Sequence, residues 1–148
     1  MRNMVLAFVA GFIAVLVFHQ GMVEILQAQG VRTVRAFPSS TTWPFGLPRI
    51  WSLAFWGGVW GILLLVAQGH RRFPSGNAYW LGALVFGAVF PTLVATLVVA
   101  PLRGQGFGGV LDPGGVLTGM AVNGAWGLGT AILLSMFRNS GGRLAPGR

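Results

Sequence analysis

The sequence predicts an all-α, polytopic integral membrane protein with four transmembrane helices, and three observations predict it. Of 148 residues, 54% are hydrophobic and only 8% charged, where an ordinary soluble domain carries roughly a quarter charged residues. Four apolar runs occupy residues 4–26, 50–67, 80–100 and 116–137, each close to the ~20 residues that cross a ~30 Å hydrocarbon layer. The sequence between them is too short, and too rich in Gly, Pro and Arg, to build a separate core. One membrane domain is therefore expected, with 138–148 as a flexible Arg/Gly tail.

The first run follows Arg2 and is long, with no small-x-small pattern after it, so it is expected to be retained rather than cleaved. It carries VFHQGMVEIL at 17–26. At 1.5 Å per residue, Glu24 falls near the outer boundary and His19 roughly 6–8 Å inside it. Gln20, Glu24 and Gln27 recur at helical spacing and form a stripe expected to face the bundle or an outward crevice, with His19 on the neighbouring face. Three readings stay open. His19 and Gln20 can bond backbone carbonyls, Asn123 or Thr96 as interhelical glue; they can form a proton or ion site with Glu24 beside a vestibule; or they can hold a cofactor.

No cofactor is expected from the residues themselves. Haem held by two axial histidines would need His70, which falls on the opposite side, or two copies of His19 in a homodimer. A histidine with one glutamate is too few ligands for zinc or a di-iron centre. The absence of Lys and Cys excludes Schiff-base, disulfide and iron–sulfur chemistry in this chain.

The connection VRTVRAFPSSTTWPFGLPR contains three prolines, which exclude a regular helix. Phe37, Trp43, Phe45 and Leu47 are too apolar for a solvated linker. The segment is expected to lie along the outer surface as an aromatic belt, or to fold back over the bundle as a lid or docking site. In the second run, Gly57 and Gly61 form a GxxxG pair, and Trp56 and Trp60 are expected to pack against neighbours or lipid. Gly69 closes that helix, and Ser75 or Asn77 can cap the next.

Pro91, inside the third run, cannot donate to the Gly87 carbonyl, so a kink is expected, with a hinge or an ion-coordinating carbonyl as the alternative. Thr92 and Thr96 can satisfy freed backbone groups. Asp112 before Pro113 reads as a helix cap. Gly115, Gly119, Asn123 and Gly127 then recur every four residues along one face of the last helix, where Asn123 either bonds a neighbour or lines a polar pocket.

A faint repeat runs through the chain. A slide of 76 residues matches Ala7, Val9, Gly11, Val23, Leu26, Gln29 and Gly30 to Ala83, Val85, Gly87, Val99, Leu102, Gln105 and Gly106. A slide of 66 matches GGVWGI at 57–62 to NGAWGL at 123–128. Each unit would hold two spans, so the copies would be tandem parallel hairpins about an axis along the membrane normal. His19 and Gln20 then match Ala95 and Thr96, which confines the polar patch to one copy.

All ten basic residues are Arg, at or beyond the ends of the apolar runs, and they form no stripe of the kind that reads nucleic acid. Arg2, Arg71, Arg72, Arg138, Arg143 and Arg148 fall on one side; Arg32, Arg35, Arg49 and Arg103 fall on the other. The excess places both termini in the cytoplasm.

AGFIAVLVFHQG at 10–21, the Pro-rich connection and SLAFWGGVWG at 52–61 resemble small four-helix bacterial inner-membrane proteins. The resemblance covers mainly the first half of the chain. It implies a bacterial inner-membrane location and no particular activity. No nucleophile and base are paired by spacing, which puts a non-enzymatic role ahead of an enzymatic one. The leading expectation is a self-associating homo-oligomer or accessory subunit of a membrane complex, using the glycine faces as contact surfaces. The alternative is a small oligomeric transporter or channel with its site around His19, Gln20 and Glu24.

Overall fold

A computed structural model describes residues 1–31, 35–42, 46–69, 76–106 and 112–142, with side chains to 139. The expectations for Trp43, Phe45, His70 and Ser75, and for Arg32, Arg71, Arg72, Arg143 and Arg148, lie outside the described residues. The described fold is α-helical except for one two-residue strand pair. Helices α1 (Arg2–Ala28), α2 (Arg49–Ala67), α3 (Asn77–Leu102) and α4 (Pro113–Gly142) are all long and apolar enough to cross a membrane.

The helices overrun the apolar runs by a few residues at most ends, because interfacial polar residues continue a helix without penalty. The largest difference is at α4. Residues 138–142, assigned by sequence to the tail, belong to the helix. Gly69 takes φ +76 just after α2 and its N–H donates to the Val66 carbonyl at 3.1 Å, as a helix stop requires. At the start of α3 the cap position is Gly76, with no side-chain bond to the first turn, rather than Asn77. Asp112 sits before Pro113 with its carboxylate over Gly114 and Gly115, and Val116 N–H reaches its carbonyl at 3.1 Å.

Two helices widen. Val15–His19 in α1 and Ala95–Val99 in α3 are π-helical turns. The second follows Pro91, across which the helix is otherwise maintained, and Thr96 donates to the carbonyl of Thr92 at 2.8 Å. No proline lies near the first, and its residues carry no local signal for a widened turn.

The helices pair as hairpins: α1 against α2 and α3 against α4, with α1 and α4 also packed together and α2 and α3 in little direct contact. Glycine makes the hairpin crossings. A Cβ on Gly11 would meet the Gly57 carbonyl oxygen and the Cα of Gly61; a Cβ on Gly87 would meet the Asn123 carbonyl oxygen and the Cα of Gly127. Gly61 faces the carbonyl of Ala7, and Gly127 faces that of Ala83. The positions matched by the slides of 76 and 66 thus make the same contacts. The match ends near the helix termini: Gly30 and Gly104, at φ +73 and +74, close α1 and α3 with equivalent backbone bonds, whereas the slide of 76 had paired Gly30 with Gly106.

The half of the bundle nearer the termini is filled. Ala7, Ala10, Leu65 and Leu134 form one buried cluster, and Leu64, Tyr79, Ala83 and Ala131 form another. Tyr79 Oη donates to the Ala131 carbonyl at 2.8 Å, and Gln68 Nε2 to the Tyr79 carbonyl at 2.9 Å. The other half is packed only in part: Ala14, Val15, Ala54 and Trp126 form a third buried cluster beside an open space.

Candidate functional site

A cavity of about 360 Å³ lies in that second half, between the two hairpins. It takes residues from all four helices and from the connection between α1 and α2. Apart from Val23, Thr92 and the connection residues Arg35 and Pro38, its lining falls into matched positions. From α1 and α3 come Val15 with Pro91, His19 with Ala95, and Gln20 with Thr96. From α2 and α4 come Arg49 with Gly115, Leu53 with Gly119, Trp56 with Val122, Gly57 with Asn123, and Trp60 with Trp126.

Most pairs are unequal in a consistent way. Arg49, His19 and Asn123 each stand opposite a residue no larger than alanine, which leaves room beside the polar group. The widened turns at Val15–His19 and Ala95–Val99 bring their residues to this same wall. Such turns leave backbone carbonyls poorly bonded along a helix and recur where helices carry function.

Gln20 is 2% exposed and holds the connection in place. Its Oε1 accepts the Phe37 N–H at 2.7 Å, and its Nε2 lies 3.3 Å from His19 Nδ1. Phe37 has φ +51, a region costly for a bulky side chain, and the Gln20 bond helps to hold it there. The chain then pairs Thr41–Thr42 with Leu47–Pro48, and the carbonyls of Ser40 and Pro38 take the first N–H groups of α2, on Arg49 and Ile50, at 2.8 and 3.1 Å. The connection therefore folds back over the bundle, with Arg35 and Pro38 in the cavity wall.

Asn123 Nδ2 donates to Thr92 Oγ1 at 2.9 Å, joining α4 to α3. The sequence left Asn123 open between packing and pocket, and the structure places it in both. Its bond partner is Thr92, not His19 or Gln20. Glu24 and Gln27 are exposed and outside the lining, so of the expected stripe only Gln20 turns inward. The polar set is His19, Gln20, Thr92, Thr96 and Asn123, with Arg35 and Arg49 at the exposed rim. Neither arginine forms an ion pair among the described residues.

The two seams between hairpins differ. On the α1–α4 side, Trp126 Nε1 donates to the Gly11 carbonyl at 3.0 Å, and the Phe18 ring covers Gly129. On the α2–α3 side the matched Trp60 meets Phe86 edge-on at 6.1 Å between ring centroids, and its N–H has no hydrogen bond among the described residues. Beyond that pair α2 and α3 separate, leaving Trp56 and Phe90 more than half exposed, at 57% and 51%. Among the described residues, no group of His, Cys, Asp or Glu is placed to hold a metal ion.

Sequence reasoning missed Arg35, Arg49, Trp126 and Thr92 as parts of this site. The slide that matched Trp60 to Trp126 was the available signal, since the two turn toward a common space. No family model, curated protein or solved structure matches this chain.

Proposed function

We propose that the chain is a small-molecule-binding protein of the bacterial inner membrane, of the transport class, built from two parallel hairpin repeats with its site on the axis between them. The single observation behind this reading is that matched positions of the two hairpins line one cavity whose polar groups come from both copies. Parallel repeats related by an axis along the membrane normal are a known transporter plan, with substrate held at the repeat interface near mid-membrane. Arginine bias supports both termini in the cytoplasm, so the cavity faces outward.

The filled half below the cavity argues against an open pore through one chain. It fits a site reached from one side at a time. Self-association through the glycine faces has less support, because Gly57 and Gly61 are spent on α1 and Gly127 on α3. An oligomer or complex partner would have to use other surfaces.

The chain has no cysteine, so single cysteines can report access without background. Thr96→Cys and Leu53→Cys, both half-buried in the lining, are expected to react with a membrane-impermeant thiol reagent applied from outside. Ala10→Cys and Ala83→Cys, in the filled half, are not. Equal protection of all four would remove the site. Labelling of Thr96→Cys from the inside as well, in a fraction of molecules, would mark transport rather than binding alone.

A further inference from the structure

We propose that the ligand of this cavity is an anionic amphiphile, held with its headgroup at the Arg35 and Arg49 rim and its chain leaving sideways between α2 and α3. The inference rests on the binding-site reading above and names the ligand class. Three observations carry it.

The first is charge. Arg35 and Arg49 are exposed lining residues with no ion pair among the described residues, and no acidic side chain lines the cavity. Of the two carboxylates in the chain, Glu24 is exposed outside the lining, and Asp112 is folded over the first turn of α4, against Gly115. A guanidinium is always charged and presents a fork that suits carboxylate and phosphate oxygens. Such a rim attracts an anion and repels a cation.

The second is the deeper wall. Leu53, Val15, Val122, Trp60 and Trp126 give it an apolar character that a bare inorganic ion would waste.

The third is the open seam. Trp56 on α2 lines the cavity and is also 57% exposed, and Ala95 on α3 is likewise both lining and exposed. The cavity is thus reached from the side that faces hydrocarbon as well as from the rim. A chain of methylene groups can lie there out of water.

The test is native mass spectrometry and calorimetric titration of the whole chain in neutral-detergent micelles. The probes are dodecyl phosphate, dodecyltrimethylammonium and inorganic phosphate. Dodecyl phosphate is expected to bind one per chain and saturably, with inorganic phosphate at least tenfold weaker and the cationic amphiphile weaker still. An Arg35→Ala, Arg49→Ala double variant should lose at least tenfold in affinity for dodecyl phosphate while melting as the parent does without ligand, since both side chains are exposed. Equal binding of the cationic probe, an unchanged double variant, or inorganic phosphate binding as tightly as the amphiphile would each overturn the proposal. Ala95→Trp, which fills the seam from an exposed position, separates the two levels. Binding of any amphiphile that is lost in Ala95→Trp but indifferent to charge refutes the anionic class and keeps the site. Binding that survives Ala95→Trp, or no saturable binding by any probe, refutes the ligand proposal altogether.

Discussion

Trp126 donates its indole N–H to the carbonyl of Gly11 at 3.0 Å, joining residues 115 apart in sequence, and Trp126 itself is 2% exposed. Together with the Gln68–Tyr79 bond between α2 and α3, it ties one hairpin to the other. Trp126→Phe keeps most of the ring and leaves the carbonyl without its donor. The expected cost is about 1–3 kcal/mol of stability, read from denaturation in mixed micelles. A variant as stable as the parent would show that ring packing, and not the bond, closes the seam.

The two hairpin crossings should respond alike to the same insult. Gly11→Ala and Gly87→Ala each push a methyl group into the backbone carbonyl of the facing helix, which has no side-chain freedom with which to yield. Each should cost about 1–3 kcal/mol or more through forced separation of the helices. Gly21 is the internal control, since nothing lies within 4 Å of a Cβ placed there. Gly21→Ala should be neutral or stabilising by up to ~1 kcal/mol. Thermal melts of the three variants side by side would check the ordering.

Gln20→Leu should release the connection without unfolding the helices. The Phe37 N–H loses its 2.7 Å acceptor and the positive φ of Phe37 loses support. A bond worth about 1–3 kcal/mol corresponds to roughly 5- to 150-fold in local opening. Hydrogen exchange over residues 35–42 is expected to speed up by that order, with exchange in α4 unchanged. Uniform acceleration through all helices would instead mean that Gln20 supports the whole bundle.

Asn123 and Thr92 offer a pairwise measurement. Asn123→Leu and Thr92→Val, alone and combined, should give a coupling energy near 0.6 kcal/mol, typical for hydrogen bonds between helices in a bilayer. Zero coupling would place the 2.9 Å contact among the unimportant ones.

Orientation is checked with cysteines at exposed ends. Asn139→Cys and Gln105→Cys lie at opposite ends of the bundle. Gln105→Cys is expected to label from outside intact cells, and Asn139→Cys only after permeabilisation. The reverse pattern would turn the cavity toward the cytoplasm.

Much of the layout was legible because hydrocarbon imposes a length on every apolar run, and stop signals such as Gly69 are local. The glycine crossings were legible at Gly57, Gly61 and Gly127, since close approach needs small residues at four-residue spacing, whereas Gly115 on the same face is exposed and meets only Asp112. The cavity was only half legible. Gln20, His19, Thr96 and Asn123 stood out as polar residues in apolar runs, but Glu24 looked equivalent to Gln20 by spacing. Only the widened turn at Val15–His19 and the way the connection folds decide which of them turns inward. Arg35 and Arg49 resembled ordinary interfacial arginines, because nothing local says that a Pro-rich connection will carry them to a rim. Equally, the glycine faces read as surfaces for another subunit, since spacing identifies a contact face without saying which helix will occupy it.

Each hairpin is locked main chain to main chain at its crossing, so it has almost no compliance of its own. Any change in the width of the space between the hairpins must therefore come from the two plates swinging as stiff bodies, pinned along the Trp126 edge and, on the Trp60 edge, only toward the Gln68–Tyr79 end.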